Sequence, residues 1–248
     1  EALEEARKEI ADAGHRVFAY SADLSDLDSI DALIAKIQDN HGPIDILVNN
    51  AGRSIRRGIE RSFDRFHDFE RTMQLNYFGA LRTTMQALPA MIEQKRGHIV
   101  NISSIGVLSN APRFSAYVAS KAALDAFTRC AAAEFSHRHI HFTTINMPLV
   151  RTPMIAPTKM YQNVPTISPE EAADMVTNAI IRRPKQVATR LGIFAQISYL
   201  LFPKAMELSM NTAFQMFPDS SAARGEDAGK NVSTEQIALA QLTKGIHW

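Results

Sequence analysis

The chain has 248 residues, 46% hydrophobic and 21% charged, a composition typical of a globular protein with a sizeable core. Its formal net charge of +1, from 27 basic and 26 acidic residues, gives no sign of nucleic acid as a partner, and no long block of like charge does either, so this partner class is set aside. The single cysteine, Cys130, excludes an internal disulfide, and no segment has the roughly 18 consecutive apolar residues that span a bilayer.

The first half of the chain alternates between helical and strand periodicity. A charged helix is predicted over residues 1–13, ended by Gly14, and residues 15–21 alternate apolar and polar as a strand does. Ser25 is predicted to cap the next helix, which has an apolar face and ends at Gly42-Pro43. The segment 44–48 is a short apolar strand of the kind that a sheet buries on both faces.

The second half continues the alternation. The pattern predicts helices over about 64–94 and 115–137, and strands over 98–102, 140–145 and 185–189. Ser168-Pro169-Glu170-Glu171 is a strong helix start, with a cap, a proline and early carboxylates together. The sequence therefore predicts an α/β fold, a Rossmann-like doubly wound parallel sheet with helices on both faces. We expect a single domain over 1–248, in which 191–248 form an apolar C-terminal extension and tail.

Three polar segments fall where such a sheet places its active site, beyond the carboxyl ends of its strands. Asn49-Asn50-Ala51-Gly52 follows the strand 44–48, and Ser103-Ser104 follows the strand 98–102. Tyr117 and Lys121 open the next helix four residues apart, so they share one face. We expect these segments to meet.

These residue types suit proton transfer to a carbonyl oxygen. A tyrosine has a reference pKa of about 10, so work near neutral pH requires the site to favour the phenolate by roughly 4 kcal/mol. A lysine ammonium one turn away supplies part of this stabilisation. Ser104 is predicted to hydrogen-bond the carbonyl oxygen and to hold the substrate in line.

The motifs resemble the short-chain dehydrogenase/reductase family. Gly97-His98-Ile99-Val100-Asn101-Ile102-Ser103-Ser104, with Tyr117 thirteen residues after Ser104, is similar to the family's catalytic strand and spacing. The resemblance implies catalytic roles for Ser104, Tyr117 and Lys121. It adds Asn76, in Gln74-Leu75-Asn76-Tyr77-Phe78-Gly79, as the residue that kinks its helix and holds a proton-relaying water.

The same resemblance implies the residues that bind a nicotinamide cofactor. Asp23 and Leu24 match the pair that contacts adenine, and Asn50, Ala51 and Gly52 match the segment lining the adenosine ribose. Tyr117 and Lys121 also belong to the cofactor site, and Val150 and Thr152 match positions near the nicotinamide amide. No metal site is predicted.

Two departures from the family pattern have structural consequences. The opening strand, glycine-rich turn, helix and strand, with Thr-Gly-x-x-x-Gly-x-Gly, do not occur in this sequence. We expect the strand 15–21 to lack a neighbour for this reason, and we expect the chain to be part of a longer protein. Met147-Pro148 stands where the family has Pro-Gly, so the backbone beside the nicotinamide is expected to differ.

Longer stretches resemble one subgroup, the bacterial fatty acyl-CoA reductases built on this fold. They are Asn49–Arg57, Ser62–Phe78, Arg113–Phe127 and Met147–Lys159, together with the closing His247-Trp248. The resemblance implies reduction of long-chain acyl-CoA to fatty aldehyde with NADPH, and NADH remains an alternative. It also implies a homo-oligomer, by analogy with family members that pair through the helices at 64–94 and 115–137.

Several features keep alternatives open. Cys130, amid alanines, is expected to be a small core residue and not a nucleophile. Arg53, Arg56, Arg57 and Arg61 form either a solvated basic face or a site for cofactor or CoA phosphates. The apolar stretch 191–217 is a buried core or subunit interface, a lid on an acyl pocket, or a peripheral membrane contact.

Three functions follow from these readings. The first is an acyl-CoA reductase, and the second is an oxidoreductase of the same family acting on another carbonyl or alcohol. The third is a non-catalytic binding or assembly module, which the absent glycine-rich turn suggests and the retained Ser104, Tyr117, Lys121 and Asn76 argue against. We expect a cytoplasmic location because a single cysteine suits a reducing compartment.

Overall fold

A computed structural model describes residues 1–152 and 166–216 of the chain. Four parallel strands form one sheet in the order β1-β2-β3-β4. The strands are β1 (Ile46–Asn49), β2 (Gly97–Ser104), β3 (Ile140–Met147) and β4 (Gln186–Val187). The predicted α/β fold with a parallel sheet is therefore confirmed. The parts of the sequence pattern that fall on residues 153–165 and 217–248 lie outside the described residues.

Helices follow the strands in the predicted alternation. They are α1 (Ala2–Asp12), α2 (Leu27–His41), α3 (His67–Met73), α4 (Ala80–Glu93), α5 (Ile105–Ser109), α6 (Ser115–Glu134), α7 (Pro169–Arg182), α8 (Arg190–Leu201) and α9 (Pro203–Met216). The predicted long helix over 64–94 is α3 and α4 joined by a π-helical turn, Gln74–Gly79. The predicted start of α7 is confirmed, because Ser168 and Glu171 form a reciprocal capping box.

Both faces of the sheet are covered by helices. Successive residues of β2 and β3 point to opposite faces, so each strand contributes side chains to two cores. Ile99 and Phe142 pack against α4 and α6 on one face. Val100 and Ile145 pack against α7 on the other. This arrangement explains why adjacent residues of a strand, such as Ile99 and Val100, are both apolar and both buried.

A buried chain of amide and hydroxyl groups links the sheet to its helices. Asn49 of β1 donates to Thr84 of α4 (3.0 Å) and to the side-chain oxygen of Asn101 in β2 (2.8 Å). Asn101 in turn donates to Thr128 of α6 at 2.8 Å. These bonds fix β1 and β2 against both helices, so Asn49 belongs to the framework beneath the loop 50–52.

Two predicted features of the N-terminal part are wrong. Residues 15–21 are not a strand, because no described strand lies beside them to complete a hydrogen-bonded ladder. The cap of α2 is Asp26 and not Ser25: the Asp26 carboxylate accepts from the Asp28 N–H at 3.0 Å.

The C-terminal helices are apolar and largely exposed. Among the described residues of the 191–217 stretch, the large side chains of α8 are mostly in solvent, with Phe194 67% and Leu200 79% exposed. The buried-core reading is therefore wrong for most of α8, while the other readings stay open. No helix among the described residues is long and apolar enough to cross a bilayer.

Candidate active site

Helix α6 carries Lys121 on the face that packs against β2 and β3. The side chain is 3% exposed, and its ammonium donates to the Ile102 carbonyl at the end of β2 (2.7 Å). Burial lowers the pKa of Lys121 to about 8, although the Asp125 carboxyl one turn further along acts in the opposite direction. Most Lys121 side chains therefore still carry their proton, and its positive charge, at neutral pH.

Tyr117 and Ser104 meet across the cleft between α6 and the end of β2. The Ser104 hydroxyl lies near enough to the Tyr117 phenol to lower its pKa, and it accepts from the Gly106 N–H at 3.0 Å. Burial raises the pKa of Tyr117, and this effect outweighs the lowering by the Ser104 hydroxyl. The phenol is therefore protonated at neutral pH in this arrangement, whereas the sequence argument required a shift toward the phenolate.

Asn76 lies in the π-helical turn and is fully buried. Its side-chain NH₂ donates to the Arg53 carbonyl and to the Ser120 hydroxyl, both at 2.9 Å, and its oxygen accepts from the Arg53 N–H at 2.7 Å. The amide thus joins the loop after β1 to α6, one residue from Lys121. Such one-turn π-bulges are frequent at functional sites.

Gly52 lies directly against Asn76 and Lys121. A Cβ at this position would come within 3.3 Å of both the Asn76 oxygen and the Lys121 ammonium nitrogen. The absence of a side chain therefore lets the loop after β1 approach α6 closely. The predicted residues Gly52, Asn76, Ser104, Tyr117 and Lys121 are thus gathered at the carboxyl ends of β1 and β2.

The residues expected to contact the cofactor lie in three segments: before α2, directly after β1 and beyond β3. The Asp23 carboxylate accepts from the Ser25 N–H at 2.8 Å, and the Leu24 carbonyl lies so close to Gly79 that any Cβ there would collide with it. Asn50 and Ala51 are exposed on the loop after β1. Beyond β3, Val150 bridges Ile167, and the Thr152 hydroxyl donates to the Val150 carbonyl at 3.4 Å.

A second buried group, which sequence reasoning missed, extends the site along α6. Asp125 is 3% exposed and accepts from the Asn146 amide of β3 at 3.1 Å, while Gln186 of β4 donates to Asn146 at 2.7 Å. Burial raises the pKa of Asp125, and the Ser103 hydroxyl and Asn146 amide act against it. The signal in the sequence was the spacing, because Tyr117, Lys121 and Asp125 follow one another at four-residue intervals.

Two further predictions about side chains change in the structure. Cys130 is exposed and not in the core, because the buried face of α6 runs through Leu124, Thr128 and Ala131. Among the clustered arginines, Arg57 pairs with the buried carboxylate of Asp68 (3.3 Å), so at least this arginine has a structural partner. Arg53 is exposed.

Comparison with known proteins places the chain among oxidoreductases. Residues 1–162 match the short chain dehydrogenase family. A fatty acyl-CoA reductase of Acinetobacter baylyi is 55% identical over 248 residues, which are 100% of this chain and 83% of that protein. An uncharacterised oxidoreductase of Mycobacterium tuberculosis is 46% identical over 95% of this chain and 70% of its own length.

A second protein of M. tuberculosis, also a fatty acyl-CoA reductase, is 45% identical over 75% of this chain and 67% of its own length. Among solved structures, a short-chain dehydrogenase from Streptomyces avermitilis superposes with a TM-score of 0.70 at 26% identity. The superposition covers 85% of each chain. The family match of the sequence and the superposition of the fold therefore both point to short-chain dehydrogenases.

Proposed function

The chain belongs to the short-chain dehydrogenase family and is an NAD(P)H-dependent oxidoreductase, and we propose that it reduces long-chain fatty acyl-CoA to fatty aldehyde with NADPH. The observation that carries the substrate proposal is the 55% identity, over the whole chain, to a fatty acyl-CoA reductase. The presence of all four predicted catalytic residues, Asn76, Ser104, Tyr117 and Lys121, supports a reductive step.

The residues present fit the nicotinamide and adenosine parts of the cofactor. Lys121 has three donors and uses one on Ile102, which leaves two for ribose hydroxyls, and Gly52 leaves space beside it. Asp23 and Leu24 are proposed to contact adenine, Asn50 and Ala51 the adenosine ribose, and Val150 and Thr152 the nicotinamide amide. The sequence contains no glycine-rich turn for the pyrophosphate.

The proposed mechanism assigns one task to each side chain. When bound, the reduced nicotinamide supplies the hydride that adds to the thioester carbonyl carbon. Tyr117, protonated at neutral pH, donates its proton to the oxygen that gains charge, and Ser104 hydrogen-bonds that oxygen. The hemithioacetal then collapses: its carbon–sulfur bond breaks, the carbonyl re-forms, and the hydroxyl proton leaves with the CoA thiolate.

Lys121 and Asn76 are proposed to keep the proton donor ready for the next turnover. The Lys121 ammonium stabilises the phenolate that Tyr117 leaves behind, because it is charged at neutral pH and lies one helical turn away. Asn76 holds Ser120 and the loop after β1 in place and is proposed to hold a water that returns the proton.

A substrate panel tests the proposal against the alternative of another carbonyl substrate. We expect NADPH oxidation with hexadecanoyl-CoA, with one CoA thiol released per NADPH, and weaker oxidation with simple aldehydes and ketones. NADH run in parallel reports cofactor preference. Turnover of ketones but not of acyl-CoA would favour the alternative substrate class and refute the proposal.

Location and assembly complete the proposal. We propose a cytoplasmic enzyme that forms a homo-oligomer through the α3–α4 region and α6, where apolar side chains such as Met85 are exposed. Light scattering of the purified protein tests the assembly, and a monomer at micromolar concentration would contradict it.

A further inference from the structure

A cavity of about 400 Å³ lies beside the first turn of α6. Three parts of the chain line it: residues 58–60, residues 110–113 together with Ser115 and Val118, and Phe214 of α9. Its volume is within the range of roughly 300–1,000 Å³ that small-molecule pockets occupy. Val118 lines the cavity, and its side chain lies beside Gly106, whose N–H donates to the Ser104 hydroxyl, so the wall of the cavity comes close to the candidate active site.

The wall of the cavity is mainly apolar. Ile59, Ala111, Pro112 and Val118 contribute hydrocarbon surface, and Phe214 is the largest apolar side chain among the lining residues. A linear hydrocarbon chain suits such a wall, because it offers no polar groups that would need hydrogen-bond partners. The length of such a chain is limited only by where the wall closes.

Phe214 is held in place by two contacts with Arg113. The guanidinium lies over the Phe214 ring, 3.9 Å from its centroid, and one guanidinium nitrogen donates to the Phe214 carbonyl at 2.9 Å. Phe214 lies in the last turn of α9, where carbonyls lack a donor within the helix and a cation is favourable. The same side chain therefore fixes both the ring and the end of the helix.

Arg113 is itself fixed from the opposite side of the cavity. Its carbonyl accepts from the Arg57 N–H at 2.7 Å, and its backbone is left-handed, with φ of 68°. A left-handed backbone is unfavourable for a residue other than glycine, so surrounding contacts must hold this conformation. Arg113 thus connects residues 57–60 to α9 across the cavity.

We propose that Phe214, held by Arg113, closes this cavity and sets the length of the acyl chain that the enzyme accepts. The inference rests on the function proposed above, and it names Phe214 as a specificity-determining residue. The carbonyl of the substrate lies at Tyr117 and the hydrocarbon chain extends along residues 110–118 toward α9. A ring that cannot rotate away stops longer chains.

The test compares kcat/KM for dodecanoyl-CoA, hexadecanoyl-CoA and icosanoyl-CoA in the intact protein. Phe214→Ala should raise the ratio of icosanoyl-CoA to dodecanoyl-CoA by about tenfold, the scale at which one or two methylenes in a pocket change specificity. Phe214→Trp should lower the same ratio. Phe194→Ala is the matched control, because it deletes the same ring from an exposed position on α8.

The outcomes separate this inference from the proposed function. If the wild type reduces acyl-CoA but neither Phe214 variant moves the chain-length ratio beyond the Phe194→Ala control, the inference is overturned and the proposed function stands. If the wild type reduces no acyl-CoA, the proposed function fails. Binding of fluorescent fatty acids of different lengths then tests whether the cavity accepts a hydrocarbon chain. A length dependence of affinity that Phe214→Trp alters would support Phe214 as the residue that limits chain length, and an unaltered length dependence would overturn that role.

Discussion

The polar cluster of the site (Asn76, Ser104, Tyr117, Lys121 and Asp125) and the exposed apolar surface of α8 and α9 differ in how their side chains are held. In the polar cluster, buried side chains are fixed by hydrogen bonds to several elements. On α8 and α9, large apolar side chains lie in solvent, Leu200 at 79% exposure. The comparison suggests that the groups for chemistry are ordered before a substrate arrives, whereas the apolar surface is not part of the packing of the described residues.

Tyr117→Phe should give the largest effect, because it removes the proposed proton donor without removing its packing. We expect kcat to fall by about 10³-fold, within the range for loss of a general acid, with little change in the free energy of unfolding. Steady-state kinetics and urea unfolding measure the two quantities. Tyr20→Phe, a surface tyrosine paired with His41, is the matched control and should retain full activity. A fall in kcat of less than tenfold would argue against Tyr117 as the donor.

Asn101→Leu tests whether buried hydrogen bonds hold the framework beneath the site. The change leaves Asn49 and Thr128 without their amide partner, and we expect a loss of about 2–3 kcal/mol in the free energy of unfolding. Urea unfolding provides the measurement. Asn40→Leu on α2, which loses one exposed hydrogen bond, should change it by about 0.5 kcal/mol or less. Equal losses in the two variants would show that the buried hydrogen bonds contribute no more to the free energy of unfolding than an exposed one.

Asp125→Asn should shift the pH dependence of activity. The pKa of Lys121 is lowered to about 8 by burial, and the Asp125 carboxyl opposes that lowering. Without the carboxyl the pKa of Lys121 should fall further, so the ammonium is lost at lower pH and the alkaline decline of kcat/KM should begin earlier.

A pH profile of kcat/KM measures this shift. Asp31→Asn, which removes a surface carboxylate paired with Arg82 on another helix, should leave the profile unchanged. An Asp125→Asn profile that coincides with the wild type, or moves toward higher pH, would show that Asp125 does not act on Lys121.

Leu200→Ser should give the smallest effect. Because the side chain is mostly in solvent, its loss should change the free energy of unfolding by about 0.5 kcal/mol or less. A loss above roughly 2 kcal/mol, the scale of a buried leucine, would show that α8 is covered in solution and would overturn the contrast between the two regions.

The fold was predictable from sequence wherever periodicity and caps were local. The capping box at Ser168 and the β-branched and aromatic residues of β2 and β3 specified their elements, because neighbouring residues determine them. The strand predicted at 15–21 was wrong because a strand requires a partner. Periodicity alone predicted the strand, whereas the missing opening strands of the family pattern had already indicated that it would lack a neighbour. The cap of α2 was misplaced by one residue, since Ser25 and Asp26 are both good caps.

The site was predictable only in part. The order and spacing of Ser104, Tyr117 and Lys121 placed them together, because the carboxyl ends of parallel strands share one edge of the sheet. The buried state of Asp125 and the contact between Arg113 and Phe214 depend on packing between distant segments, and no local pattern announces them. The raised pKa of Tyr117 also follows from burial, which the sequence does not give directly.

The most direct test of the central claim uses NADPH carrying deuterium at the transferable position of the nicotinamide and hexadecanoyl-CoA as substrate. The proposed mechanism predicts hexadecanal with one deuterium on the aldehyde carbon, detected by mass spectrometry, with equimolar free CoA. Aldehyde without deuterium, or deuterated NADPH that stays unoxidised in the presence of acyl-CoA, would contradict hydride addition to the thioester carbonyl.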